Sequence, residues 1–217
     1  MEANQQANKP KTLQKIAYVS IPDSTDLEFL LWDLQDAIAA YAQLSGTALP
    51  HPVDLKANSA DTADGIVLAV EDTPVDEAVA DIAKALDRFG DTGTRVYVVV
   101  QAACERTEGA CMLIERLRQA CELRRLTWCG GVAIYGGSGI AALRRSPRMG
   151  LLRRPFSEAM DKLVGAVRMG CSVEHAQKLS GAATGGVETD GMVRATSTLP
   201  TPIWHAVMRH LAEHSNC

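Results

Sequence analysis

The sequence predicts an α/β protein built on a doubly wound sheet of five parallel strands, in the order 2-1-3-4-5, with helices on both faces. Three observations lead there. Short runs rich in Val and Ile alternate with longer segments whose apolar residues recur at helical spacing. The inner runs, IVLAV at 66–70 and VYVVV at 96–100, are apolar without a break, as strands covered on both faces are. Glycines at 46, 90 and 170 close the helical segments, where a left-handed stop is needed.

Each element has its own signal. Lys15–Ile21 (KIAYVSI) is a strand of β-branched and aromatic residues. Leu27, Leu30, Leu31, Leu34, Ile38, Tyr41 and Leu44 then form one helical stripe, ended by Ser45-Gly46. A short strand is expected near Pro52–Leu55, and a buried one over Asp64–Val70. In the next helix Thr73 is the expected N-cap and Pro74 the first helical residue. Val75, Val79, Ile82, Leu86 and Phe89 form its apolar face. Thr94–Gln101 is the clearest strand, followed by a helix near Ala110–Leu123 and a strand at Thr127–Tyr135. Phe156, Met160, Leu163, Val164 and Val167 mark a further amphipathic helix. Beyond Cys171 the pattern thins to a loop and a short helix in TPIWHAVMRHLAEH. The expected division is a disordered tail at 1–14, one domain at 15–171, and an extension at 172–217.

Composition narrows the function classes. The chain has 217 residues, a formal net charge of −4, 47% apolar and 22% charged residues. No global positive field draws it to nucleic acid or anionic lipid, and no apolar run reaches the roughly 20 residues of a membrane span. Six cysteines without a CxxC pair fit a reducing, cytosolic compartment. His210 and His214 stand four apart, but no third ligand accompanies them.

In a doubly wound sheet ligands gather outside the carboxyl ends of the strands. The loops of interest are therefore Pro22–Asp26, Glu71–Val75, Ala102–Gly109 and Gly136–Arg148. The stretch from RVYVVVQAACE to TWCGGVAIYGGSGI, with Trp128, Gly130, Gly131, Gly136 and Gly137 in place, is similar to the second half of the flavodoxin-like NAD(P)H-dependent FMN reductase family. The likeness spans residues 95–170; residues 15–94 match in element order but not in motif. It implies FMN at the strand ends, hydride exchange with NAD(P)H, a small-molecule electron acceptor and a homodimer. Carried onto this chain, the FMN contacts would be Ser20, Ser24 and Thr25 in the first loop and Thr73 in the second. Gln101, Ala102, Ala103 and Cys104 would follow in the third, and Gly136 and Gly137 in the last.

The residues themselves leave that chemistry open. The first loop offers three hydroxyls where a phosphate would sit, yet it also carries Asp23 and Asp26. Those carboxylates satisfy a helix N-terminus without any ligand, and Asp23 or Ser24 serves equally as a plain N-cap. The second loop has Glu71 and Asp72 and no aromatic ring. Cys104 is a displayed thiol or an ordinary cysteine, and Gly136-Gly137-Ser138-Gly139 matches neither G-x-G-x-x-G nor G-x-S-x-G. The basic run at Arg144, Arg145, Arg148, Arg153 and Arg154 reads in three ways. It is a solvated face, a surface for the acidic rim of a second subunit, or a seat for the 2′-phosphate of NADPH. The expected function, resting on the resemblance, is an FMN-dependent NAD(P)H oxidoreductase of the flavin- or quinone-reductase type; the alternative is a flavin-binding-deficient relative acting as a non-catalytic binding or scaffold protein.

Overall fold

The structure, a computed structural model, describes residues 7, 9–53, 63–72, 75–89, 93–103, 108–180 and 188–215. Six parallel strands form one sheet: β1 (Lys15–Ile21), β2 (His51–Val53), β3 (Gly65–Glu71), β4 (Arg95–Ala102), β5 (Thr127–Tyr135) and β6 (Met192–Thr196). Their spatial order is 2-1-3-4-5-6. The expected five-strand order is present, and β6 extends it by pairing Gly131–Tyr135 with Met192–Thr196.

Helices α1 (Thr25–Ser45), α4 (Arg154–Met169), α5 (Val173–Leu179) and α6 (Thr201–Ser215) pack one face of the sheet. Helices α2 (Val75–Asp87) and α3 (Glu108–Leu123) pack the other. The reversal lies between β1 and β3, whose register pairs Ser20 with Ala69 and Ile21 with Val70. Strands β3 and β4 are buried almost end to end, as their unbroken apolar runs required. Among the described residues no helix is long and apolar enough to cross a membrane.

Several local expectations are sharpened. Ser24, rather than Asp23, is the N-cap of α1: it is extended in backbone and accepts the Leu27 N–H at 3.3 Å. The stripe of α1 is buried from Leu27 to Ile38, but Tyr41 and Leu44 are exposed where the helix outruns the sheet. Arg168 covers Tyr41 instead, 5.5 Å from its ring centre. Thr73, Pro74 and Gly90, the expected stops of α2, lie outside the described residues. The glycine pair of WCGG has a clear cause. The β4–β5 register shifts between Val96 and Val98, and a Cβ on Gly131 would lie 1.9 Å from the Val98 carbonyl oxygen. Only glycine allows the strands to close at that irregularity.

The arginine-rich stretch turns inward. Arg148 and Arg153 both bind the carboxylate of Asp33 on α1, which is 3% exposed. Arg148 also reaches Asp161 of α4 at 2.9 Å, and Arg153 reaches the Ser146 carbonyl at 2.9 Å. Burial raises the pKa of Asp161 even beside Arg148. Arg144 lies over Trp32 and Arg154 pairs with Glu158. Four of the five arginines thus have partners within the chain; Arg148 and Arg153 are drawn to Asp33, while Arg144, Arg145 and Arg154 remain exposed. Deleting one member of a buried ion cluster strands the rest in low dielectric. Asp33→Ala should therefore lower the unfolding free energy by about 3–5 kcal/mol, measured by urea denaturation. A loss within experimental error would show that α1 and α4 do not depend on the cluster.

At the opposite end of the sheet Asp64 accepts the N–H groups of Gln14 (3.0 Å) and Lys15 (3.1 Å) and pairs with Lys11. Burial pushes its pKa up, but these hydrogen bonds and the Lys11 charge outweigh it, and the net shift is downward. A depressed folded pKa gives stability that is complete above the ordinary value of 3.8 and lost as pH falls through the lower folded value. Asp64→Asn should flatten the acid limb of the stability–pH curve in that window. Curves that stay parallel for the two proteins would remove Asp64 as the cause.

Candidate strand-end site

The carboxyl ends of β1, β3, β4 and β5 lie at one edge of the sheet, and a single carboxylate ties α1 to the end of β4 and to the turn after β5. Asp26, in the first turn of α1, accepts the N–H of Gly139 at 2.7 Å and of Ala141 at 2.8 Å. It also accepts the Gln101 side-chain amide at 3.2 Å. Gln101, the penultimate residue of β4, is 5% exposed and donates from the same amide to the Gly137 carbonyl at 2.9 Å. Gly137 returns its own N–H to the Ala102 carbonyl at 3.0 Å. The turn after β5 is thereby fastened to both α1 and β4.

A second tie closes β1 against β3. The Ser24 hydroxyl donates to Glu71 at 2.6 Å while it caps α1.

The structure places all but two of the candidate cofactor contacts. Ser20 lies near the end of β1, half-buried, and Thr25 is the exposed first residue of α1. Ser24 and Gln101 are brought together with Asp26 and Glu71, but their polar groups face the chain itself. Ala102 is buried and Ala103 exposed after it. Gly136 accepts the Trp204 indole N–H at 2.8 Å. Thr73 and Cys104 lie outside the described residues. Sequence reasoning missed the tie from Asp26 to Gly139 and Ala141 and the anchor from Trp204 to Gly136. Separations of 113, 115 and 68 residues carry no local signal.

These residues do not fit an FMN phosphate. The N-terminus of α1 is already capped by Ser24 and carries Asp26 and Glu28 in its first turn. A phosphate there would face Asp26 and Glu71, each repelling it by roughly 2–3 kcal/mol per unit charge at about 5 Å and an effective dielectric of 20–40. Thiol chemistry is equally unsupported at Cys121 and Cys129, whose pKa values burial pushes up to about 12. Cys171 is raised by the same cause, and Cys111 is exposed.

No protein-family model matches the sequence. No curated protein matches it either. Among solved structures, the solution structure of two-electron reduced flavodoxin from Megasphaera elsdenii is 16% identical, with a TM-score of 0.39. That alignment covers 57% of this chain and 88% of the flavodoxin. The strand order 2-1-3-4-5, all parallel with helices on both faces, decides the architecture.

The fold is flavodoxin-like.

The C-terminal segment packs against this end of the sheet. Trp204 is 1% exposed, stacks at a tilt on Phe156 with ring centres 5.6 Å apart, and holds α6 against the turn after β5. Asp26→Ala should release that turn from α1. The loss of charge-assisted hydrogen bonds predicts a destabilisation of about 2–4 kcal/mol, read by thermal and urea unfolding. A change below about 0.5 kcal/mol, the scale of ordinary surface substitutions, would show that the carboxylate does not hold these loops.

Proposed function

We propose that this is a flavodoxin-like binding protein that works without flavin, its strand-end loops serving recognition rather than electron transfer. One observation carries the reading. Where a cofactor phosphate would sit, Ser24 caps the Leu27 N–H and donates its hydroxyl to Glu71, and the Asp26 carboxylate is bonded to Gly139 and Ala141. The competing reading is an FMN-dependent NAD(P)H oxidoreductase that passes electrons to a small-molecule acceptor. It would require those internal hydrogen bonds to open and a phosphate to settle among carboxylates, which opposes binding.

Titrating FMN with the purified full chain, followed by quenching of flavin fluorescence, separates the two. The expected result is a colourless protein and no saturable quenching at tens of micromolar FMN, a free-energy scale of roughly −6 kcal/mol. A yellow protein, or a stoichiometric quench in that range, would restore the oxidoreductase reading.

A further inference from the structure

At the carboxyl edge of β5 the turn Gly136–Gly139 and the inner side of α6 enclose a cleft of about 300 Å³. We infer that this cleft is a binding site for a compact anion with a flat apolar body, of the aromatic-carboxylate class. The inference deepens the binding-protein reading and rests on it, but it concerns residues other than those that would meet an FMN phosphate.

The cleft is built from two kinds of surface. Trp204 and Met208, one turn apart on α6 and both buried, form an apolar floor. The floor is rigid because the Trp204 indole N–H is bonded to the Gly136 carbonyl at 2.8 Å and the ring packs on Phe156. His205 and Arg209, also one turn apart, line the same cleft and are exposed. Neither has a hydrogen bond or ion pair among the described residues. Arg209 therefore presents a guanidinium, with its planar fork of donors, beside an apolar wall. The Asp26 carboxylate behind the glycine turn does not compete for it, since its oxygens already receive Gly139, Ala141 and Gln101.

The volume sets the size of the ligand. About 300 Å³ lies at the lower limit for small-molecule pockets, so the occupant is a single ring or its equivalent. The floor favours a flat apolar body and the guanidinium favours a carboxylate, which Arg grips with two parallel hydrogen bonds. The cleft also lies outside the carboxyl ends of parallel strands, where this architecture collects ligands.

Benzoate and its neutral isostere benzamide are the probes, titrated into the full chain by calorimetry and followed by amide shifts of residues 136–139. Benzoate should bind saturably, at least about ten-fold more tightly than benzamide. Arg209→Gln should weaken benzoate about ten-fold or more while leaving benzamide unchanged. Ala212→Phe, which fills the exposed mouth of the cleft, should abolish both. Equal binding of the two probes, an unaltered benzoate affinity in Arg209→Gln, or no saturation would each overturn the inference. None of these results bears on the FMN titration, so the two readings fail separately.

Discussion

The working end of this sheet depends on where Asp26 directs its carboxylate. In the first turn of a helix, a carboxylate is favoured by the positive end of the helix dipole. Here it also satisfies two backbone N–H groups of the turn after β5 and the Gln101 side-chain amide near the end of β4. One anionic side chain thus stands at a strand–loop–helix junction of the kind suited to hold an anion, and binds groups of the chain itself there. The Ser24–Glu71 hydrogen bond has the same effect on the neighbouring loop. Architecture and local chemistry point in different directions, and the chemistry of the loops decides what can bind.

The C-terminal elements follow from that closure. With the turn after β5 fixed from below by Asp26 and Gln101, its upper side offers the Gly136 carbonyl to Trp204. Helix α6 settles there, and β6 lengthens the sheet beside it. On the same face the buried Asp33–Arg148–Arg153 cluster locks α1 to the segment leading into α4. A polar tie joins the ends of β1 and β3 at Ser24 and Glu71, and a cleft lies beside the end of β5.

Much of the fold was legible in the sequence because its signals are local. Unbroken apolar runs marked β3 and β4, and the spacing from Leu27 to Ile38 with Gly46 marked α1. Strand β6 escaped because MVRAT is five residues long, carries a central arginine, and pairs along only one edge. The charge pattern misled in an instructive way. A run such as LRRSPRMGLLRRP looks solvated or intermolecular, but Asp33, more than a hundred residues earlier, draws two of its arginines inside. Asp23 and Asp26 were visible as poor company for a phosphate, whereas the partners of Asp26 were not, since nothing near it in sequence names Gly139 or Ala141.

The decisive observation is the state of those two amides. In nitrogen-15-resolved spectra of the full chain, Gly139 and Ala141 should show slow hydrogen exchange. In Asp26→Ala both should lose protection and shift together, because neither N–H then has its carboxylate acceptor. Amides that exchange as freely as an exposed loop in the native chain, and that ignore the substitution, would contradict the closure of the site by its own carboxylate.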